Sequence, residues 1–305
     1  MKKTIFILTL LLPTCFLFAQ NNVSDVNTDG DLNAPSFVSQ SGEGWNYSFV
    51  DQDQDQNTVE VTQLNDVYIS VWWFDRNNSN IKQDGIDNHA EVDQIHGTSP
   101  TDAPWGGNLD ADIDQLGSWN AAYVRQEGTW NFATTLQEGD NGIARQYQGK
   151  GNNYTVLTPT RFNDADIHQG SSVDGGSRAE QYQEGTQNDA EIFQNSWDGS
   201  RAVQIQVNDR ALYTYPIFTN LNVAVIDQYE GGDNRAYQVQ YYNVASAGQN
   251  DAYTEQYGSG NRSKEVQFGG ENQSDVHQDG TGNGVKVVQF NNGVIDPGLT
   301  LPISY

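Results

Sequence analysis

The chain has little of what most stable folds rely on. Cys15 is the only Cys in 305 residues, so no disulfide can form within the chain. Lys and Arg number 15 against 40 Asp and Glu, giving a formal charge of −25. The few cations are scattered along the sequence, so there is no basic footprint for nucleic acid or anionic lipid. Hydrophobic residues make up 36%, below the usual share of about 45–50% in globular domains. The four His, at 89, 96, 168 and 277, show no metal-ligand spacing. No Ser-His-Asp or Cys-His arrangement and no phosphate-cradling loop can be traced. These absences point away from an enzyme and imply neither cofactor nor metal.

Disorder is the simplest outcome of such a composition. Seven Trp, 15 Tyr and 12 Phe, with many Val and Ile, argue against it. Residues 1–20, MKKTIFILTLLLPTCFLFAQ, read as a secretory signal peptide: Lys2 and Lys3, an apolar run, then Ala19 as a cleavage point. Its removal takes away Cys15 and two Lys, and the formal charge becomes −27. A secreted, extracellular chain is expected.

Abundant Gln, Asn and Gly fall into a repeat. Residues 83–94, QDGIDNHAEVDQ, set Gln83, Gly85, Asn88, Ala90 and Gln94 in a frame that recurs every eleven residues. The same frame holds Gln115, Gly117, Asn120, Ala122 and Gln126, then Gly128, Asn131, Ala133 and Gln137. It returns at Gln183, Gly185, Asn188, Ala190 and Gln194. The C-terminal copies place Gln256, Gly258, Asn261 and Gln267, then Gly269, Asn272 and Gln278, then Gly280, Asn283 and Gln289. The place nine residues on is usually Val or Ile. Weaker copies occur at 52–63, 137–148, 158–169 and 217–228, and the frame spans residues 34–290.

Asn88, Ala90, Val92 and Gln94 lie two apart, the period of a β-strand, so they share one face. His89, Glu91 and Asp93 point the other way. The cluster of Asp84, Asp87, His89, Glu91 and Asp93 therefore reads as turn and solvent face, not as a metal site. Ile95 to Gly97 and residues 84–87 read as turns. One repeat is a strand of about seven residues and a turn of about four. The fold class is all-β: a β-solenoid with two strands per coil, about 22 residues per coil, about eleven coils and two facing sheets. Like residues then stack on like. Ala and Val ladders fill a thin dry core. Asn and Gln ladders bond along the axis, which satisfies amides that would be costly to bury alone.

Several segments leave the frame. Residues 21–33 are expected to be flexible, residues 97–112 to form a loop insertion with Pro100 and Pro104, and residues 291–305 to form a non-repeat tail. Residues 170–176 read as a short loop, and the aromatic-rich strand VYISVWWFDR at 67–76 reads as coil filling. The stretch 51–62 begins like a calcium loop but has Gln56 and Thr62 where Gly and Glu are needed, so it reads as a turn between strands.

The repeat resembles the curlin family, the subunits of bacterial curli fibres, whose motif is Ser-x5-Gln-x-Gly-x-Gly-Asn-x-Ala-x3-Gln. Gln256, Gly258, Gly260, Asn261 and Gln267 match it, with Ser263 in the Ala place. Gln278, Gly280, Gly282, Asn283 and Gln289 match again, with Val285 in that place. The resemblance implies an extracellular functional amyloid of the biofilm matrix, a fimbrium-like fibre that is a homopolymer of the chain. It implies other curlin subunits or a nucleator as partners, and export through an outer-membrane curli secretion pore with accessory proteins. The role of major subunit and that of minor, nucleating or capping subunit both stay open. So does a monomeric solenoid adhesin that binds a surface ligand through Trp72 and Trp73, or calcium through its acidic ladders.

Overall fold

The computed structural model describes residues 22–291 apart from 31–32, 34–35, 43, 66–75, 97–107, 129, 150–162, 171–175, 186, 196–198, 210–221 and 244–248. Twenty strands alternate between two sheets. The first sheet holds β1 (Asn22–Thr28), β3 (Trp45–Asp53), β5 (Arg76–Asp84), β7 (Asn108–Leu116), β9 (Asn131–Gln137), β11 (Asp164–Gln169), β13 (Asn188–Asn195), β15 (Asn222–Tyr229), β17 (Asn250–Tyr257) and β19 (Gln273–Asp279). The second holds β2 (Phe37–Gly42), β4 (Thr58–Asn65), β6 (His89–His96), β8 (Ala121–Gly128), β10 (Ile143–Gln148), β12 (Arg178–Glu184), β14 (Arg201–Asp209), β16 (Arg235–Asn243), β18 (Arg262–Gly269) and β20 (Gly284–Asn291). Each strand pairs in parallel with the strand two places on, so one odd and one even strand make a coil. This is the two-strand β-solenoid, with ten coils among the described residues where the repeat suggested about eleven.

Period-two patterning decides the faces. In β6, Ala90, Val92, Gln94 and His96 are buried while His89, Glu91, Asp93 and Ile95 are only partly so. Pairing keeps repeat positions in exact register from coil to coil, as in Ala90 on Ala122 and Gln94 on Gln126. Ile95 and His96, expected in a turn, continue β6, because Ile95 and His96 stack on Glu127 and Gly128 of β8. Residues 21–33, expected to be flexible, supply β1, whose seven residues each gain a register partner on β3. Of the loop expected over 97–112, residues 108–112 are strand, since Leu109, Ala111 and Ile113 alternate inward in β7. The rest of that loop, the tail beyond 291, the signal peptide and residues 66–75 with Trp72 and Trp73 lie outside the described residues.

The core changes character along the axis. Its N-terminal part is apolar, with Val50, Val61, Ile81, Val92, Ile113 and Val124 packed together. Further on, the odd strands keep Ile167, Ile192 and Ile226, but the even strands place Gln146, Gln181, Gln204 and Gln238 opposite them. The expected dry core of Ala and Val therefore holds best in the N-terminal part, and even in the first sheet Thr135 and Thr254 interrupt the apolar column.

Candidate functional site: amide ladders and two outer faces

Gln columns run along both edges of the core. In the even sheet, Gln40 Nε2 donates to Gln63 Oε1 at 2.8 Å, and the bond repeats through Gln94, Gln126, Gln148, Gln183, Gln206, Gln240, Gln267 and Gln289. In the odd sheet the column is Gln52, Gln83, Gln115, Gln137, Gln169, Gln194, Gln228, Gln256 and Gln278, with bonds of 2.7–2.9 Å. Every Nε2 points toward the next coil in chain order. The amides also brace the two sheets: Gln94 Nε2 donates to the Asn78 carbonyl at 2.8 Å, and Gln115 Nε2 to the His89 carbonyl at 3.1 Å. Reaching across the core while bonding along it needs the longer side chain, which is why Gln rather than Asn stands here.

Asn does two different jobs. In the odd sheet Asn188, Asn222, Asn250 and Asn272 form a side-chain ladder at 3.0–3.1 Å, each donating toward the preceding coil. Leu109 interrupts this column between Asn77 and Asn131, and Asn77 Oδ1 is buried without a hydrogen-bond partner. In the even sheet Asn grips turns. Asn88 Oδ1 accepts from the Asn120 amide at 3.0 Å, and Asn88 Nδ2 donates to the Gly117 carbonyl at 2.7 Å.

That grip explains the Gly. Gly85 has φ of 143°, and a Cβ there would lie 1.7 Å from the Gly117 carbonyl oxygen of the next coil. Gly117, Gly128, Gly185, Gly258, Gly269 and Gly280 also have positive φ. In these seven copies the residue just before the Asn is left-handed as well: Asp87, Trp119, Trp130, Gln187 and Glu271 in some coils, Gly260 and Gly282 in others.

The structure thus brings the sequence-predicted residues together. Gln83, Gln94, Gln115, Gln126, Gln137, Gln183, Gln194, Gln256, Gln267 and Gln278 are buried, as are Asn88, Asn120, Asn131, Asn188, Asn261 and Asn272 and Ala90, Ala122, Ala133 and Ala190. Gly280, Asn283 and Gln289 belong to the last described coil and stay more open. Asp84 and Asp87 flank a turn, and His89, Glu91 and Asp93 face outward.

A third Gln column was missed. Gln146, Gln181, Gln204 and Gln238 are linked at 3.1 Å and end on buried Glu265, 3.2 Å from Gln238. Thr replaces Ile across the core at both ends of this column: Thr135 donates to Gln146 at 2.9 Å, and Thr254 donates to Glu265. Burial raises the Glu265 carboxyl above its ordinary pKa. The recurring Gln-x-Gln in RQYQ, EQYQ, VQIQ and YQVQ was the available signal.

The outer faces differ in charge. The first sheet shows Asp110, Asp112, Asp114, Asp164, Asp166, Asp189 and Glu191 outward. Burial, then repulsion from Asp166 and Asp189, pushes Asp164 up to about 6. Cations that are scattered in sequence gather on the second sheet, including Arg178, Arg201, Arg235 and Arg262 in one column. Aromatic rings stack along the axis too, as in Tyr147 on Tyr182 at 5.0 Å and Phe268 on Phe290 at 5.2 Å. Among the described residues, no group of three or more His, Cys, Asp or Glu could hold a metal ion. No family model and no curated protein matches the chain.

Proposed function

We propose that the chain is a secreted structural subunit, without catalytic activity, that stacks end to end into curli-like amyloid fibres for adhesion and biofilm matrix. Its partners in this reading are further copies, other curlin-like subunits or a nucleator, and an outer-membrane secretion pore with accessory proteins. The open ends of the ladders carry the reading. At the N-terminal end Val26 is 43% exposed, whereas Val50, its register partner, is 0% exposed. At the C-terminal end Val285, in the inward place of Ser263, is 38% exposed while Ser263 is 5% exposed. Among the described residues no further strand pairs with β1, β2, β19 or β20 on their outer sides. Such edges template another chain.

The ends are also complementary. Gln278 and Gln289 are the last members of columns whose Nε2 groups donate onward, and Gln40 is the first member of a column whose Oε1 groups accept. Stacking the N-terminal coil of one copy on the C-terminal coil of another continues the column; juxtaposing like ends sets donor against donor at the C-terminal end or acceptor against acceptor at the N-terminal end. The reading is therefore a head-to-tail, parallel stack.

Seeded growth of the purified chain (residues 21–305) followed by cryo-electron microscopy tests this. Thioflavin-binding fibres should form, with a cross-β spacing of about 4.8 Å and Gln289 of one copy beside Gln40 of the next. A chain that stays a soluble monomer through long seeded incubation overturns the assembly.

A further inference from the structure

Arg178, Arg201, Arg235 and Arg262 occupy one outward column on the consecutive even strands β12, β14, β16 and β18. Glu180 serves the first two: Arg178 Nε donates to it at 2.7 Å, and an Arg201 nitrogen lies 3.4 Å away. Arg235 and Arg262 are exposed, and among the described residues neither is paired with a carboxylate. Guanidinium groups repeated at the strand spacing of about 4.8 Å repel one another. Their mutual repulsion is relieved when something anionic lies along the column.

The opposite face has the converse problem. Asp164 is in register with Asp189, and Asp166 with Glu191, and all four are exposed. Stacked carboxylates repel as stacked guanidiniums do.

We infer that these faces are two halves of one lateral contact: the arginine column of one solenoid binds the acidic face of a second copy lying alongside it. The two columns share one pitch by construction, because both are set by the same coils. Arginines on consecutive rungs therefore meet carboxylates on consecutive rungs without any adjustment of either molecule. Guanidinium and carboxylate also match in shape for paired hydrogen bonds. Because the two surfaces differ, the contact is heterologous and does not close on a dimer; it propagates sideways into layers. It needs only folded solenoids, so it stands apart from end-to-end stacking.

Sedimentation velocity and negative-stain microscopy of residues 21–305, at about 0.01 M and about 1 M NaCl, test the contact, since the screening length falls from about 30 Å to about 3 Å. Side-by-side association is expected at low salt and its loss at high salt. The double variant Arg235→Glu/Arg262→Glu should weaken association at least about tenfold, with circular dichroism and melting temperature unchanged. Mixing it with Asp189→Arg/Glu191→Arg should restore association between the two variants. Arg235→Gln/Arg262→Gln, which introduces no new charge, should weaken association in the same direction. Association indifferent to salt and to both Arg variants overturns the contact, as does failure of the swapped pair to associate. A chain that stays single but binds polygalacturonate through Arg235 and Arg262 also overturns it, giving the column to an anionic polymer instead. Single-width filaments would sink the lateral contact and leave end-to-end growth intact; paired short particles would do the opposite.

Discussion

A buried Gln is an expensive residue unless both ends of its amide are used. Gln267 uses both: its Oε1 accepts from Gln240 at 3.0 Å, and its Nε2 donates to Gln289 and to the Asp251 carbonyl. Gln267→Ala should cost about 1–3 kcal/mol in denaturant unfolding and slow seeded fibre growth, whereas exposed His277→Ala should change either by little. Equal effects at the two positions would contradict the ladder. Gly places were legible because φ and close stacking both demand them. The left-handed place before the Asn was legible only where Gly260 and Gly282 stand, since elsewhere Asp, Trp, Gln and Glu occupy it with no common chemistry. Glu271, exposed at φ of 61°, marks the outcome: Glu271→Gly should raise stability by about 0.5–1 kcal/mol, read as a higher melting temperature. A lower melting temperature would show that the turn is not under backbone strain.

A strand in this molecule is specified by its neighbours in the column as much as by its own sequence. Period two in AEVDQ already assigns the faces of β6, and this local alternation is why the solenoid and its Gln columns were legible. Column membership is different, because it depends on which strand stacks on which. The rungs of the third Gln column and of the arginine column share the unequal intervals of the edge Gln column, 23, 34 and 27 residues over β12 to β18, so they are read only by their offset from it: two residues before each edge Gln for Gln181, Gln204 and Gln238, five for Arg178, Arg201, Arg235 and Arg262. Leu109 shows the same dependence. It is fully buried, yet it occupies an Asn place and leaves Asn77 Oδ1 without a partner. Leu109→Ala should cost about 2–5 kcal/mol as an ordinary cavity. Leu109→Asn should cost less than Leu109→Ala, because its Nδ2 reaches the orphaned oxygen. A polar substitution that outperforms Ala in equilibrium unfolding checks this; the reverse order refutes it.

For the whole molecule, stacking multiplies charge as readily as it multiplies hydrogen bonds. Asp93, Asp112, Asp114, Asp164, Asp189, Glu191, Asp227 and Glu265 all have carboxyls raised above their ordinary values, with burial the largest cause in each. A carboxyl raised on folding binds its proton more tightly in the folded state. Its stabilising contribution is complete below the unfolded pKa of about 4 and is lost as pH rises through the folded value, about 6 for Asp164. Glu180 opposes the trend: burial would raise it, but Arg178 and Arg201 outweigh burial and lower it. The solenoid should therefore melt at a higher temperature at pH 5 than at pH 7, as followed by circular dichroism. A melting temperature that falls on acidification over this range would contradict the stacked-carboxylate account.

The one-way Gln columns have an electrical consequence. Each amide is a small dipole, and along all three Gln columns the N–H ends face the C-terminal coil, whereas the Asn188–Asn272 ladder points back. The Gln rows outnumber the opposing one, so the side chains give the solenoid an axial moment, positive toward β19 and β20. An α-helix acquires such a moment from its backbone; here it is written in side chains and lengthens with every coil added. A growing filament would then align in an electric field, with a birefringence signal that rises with length.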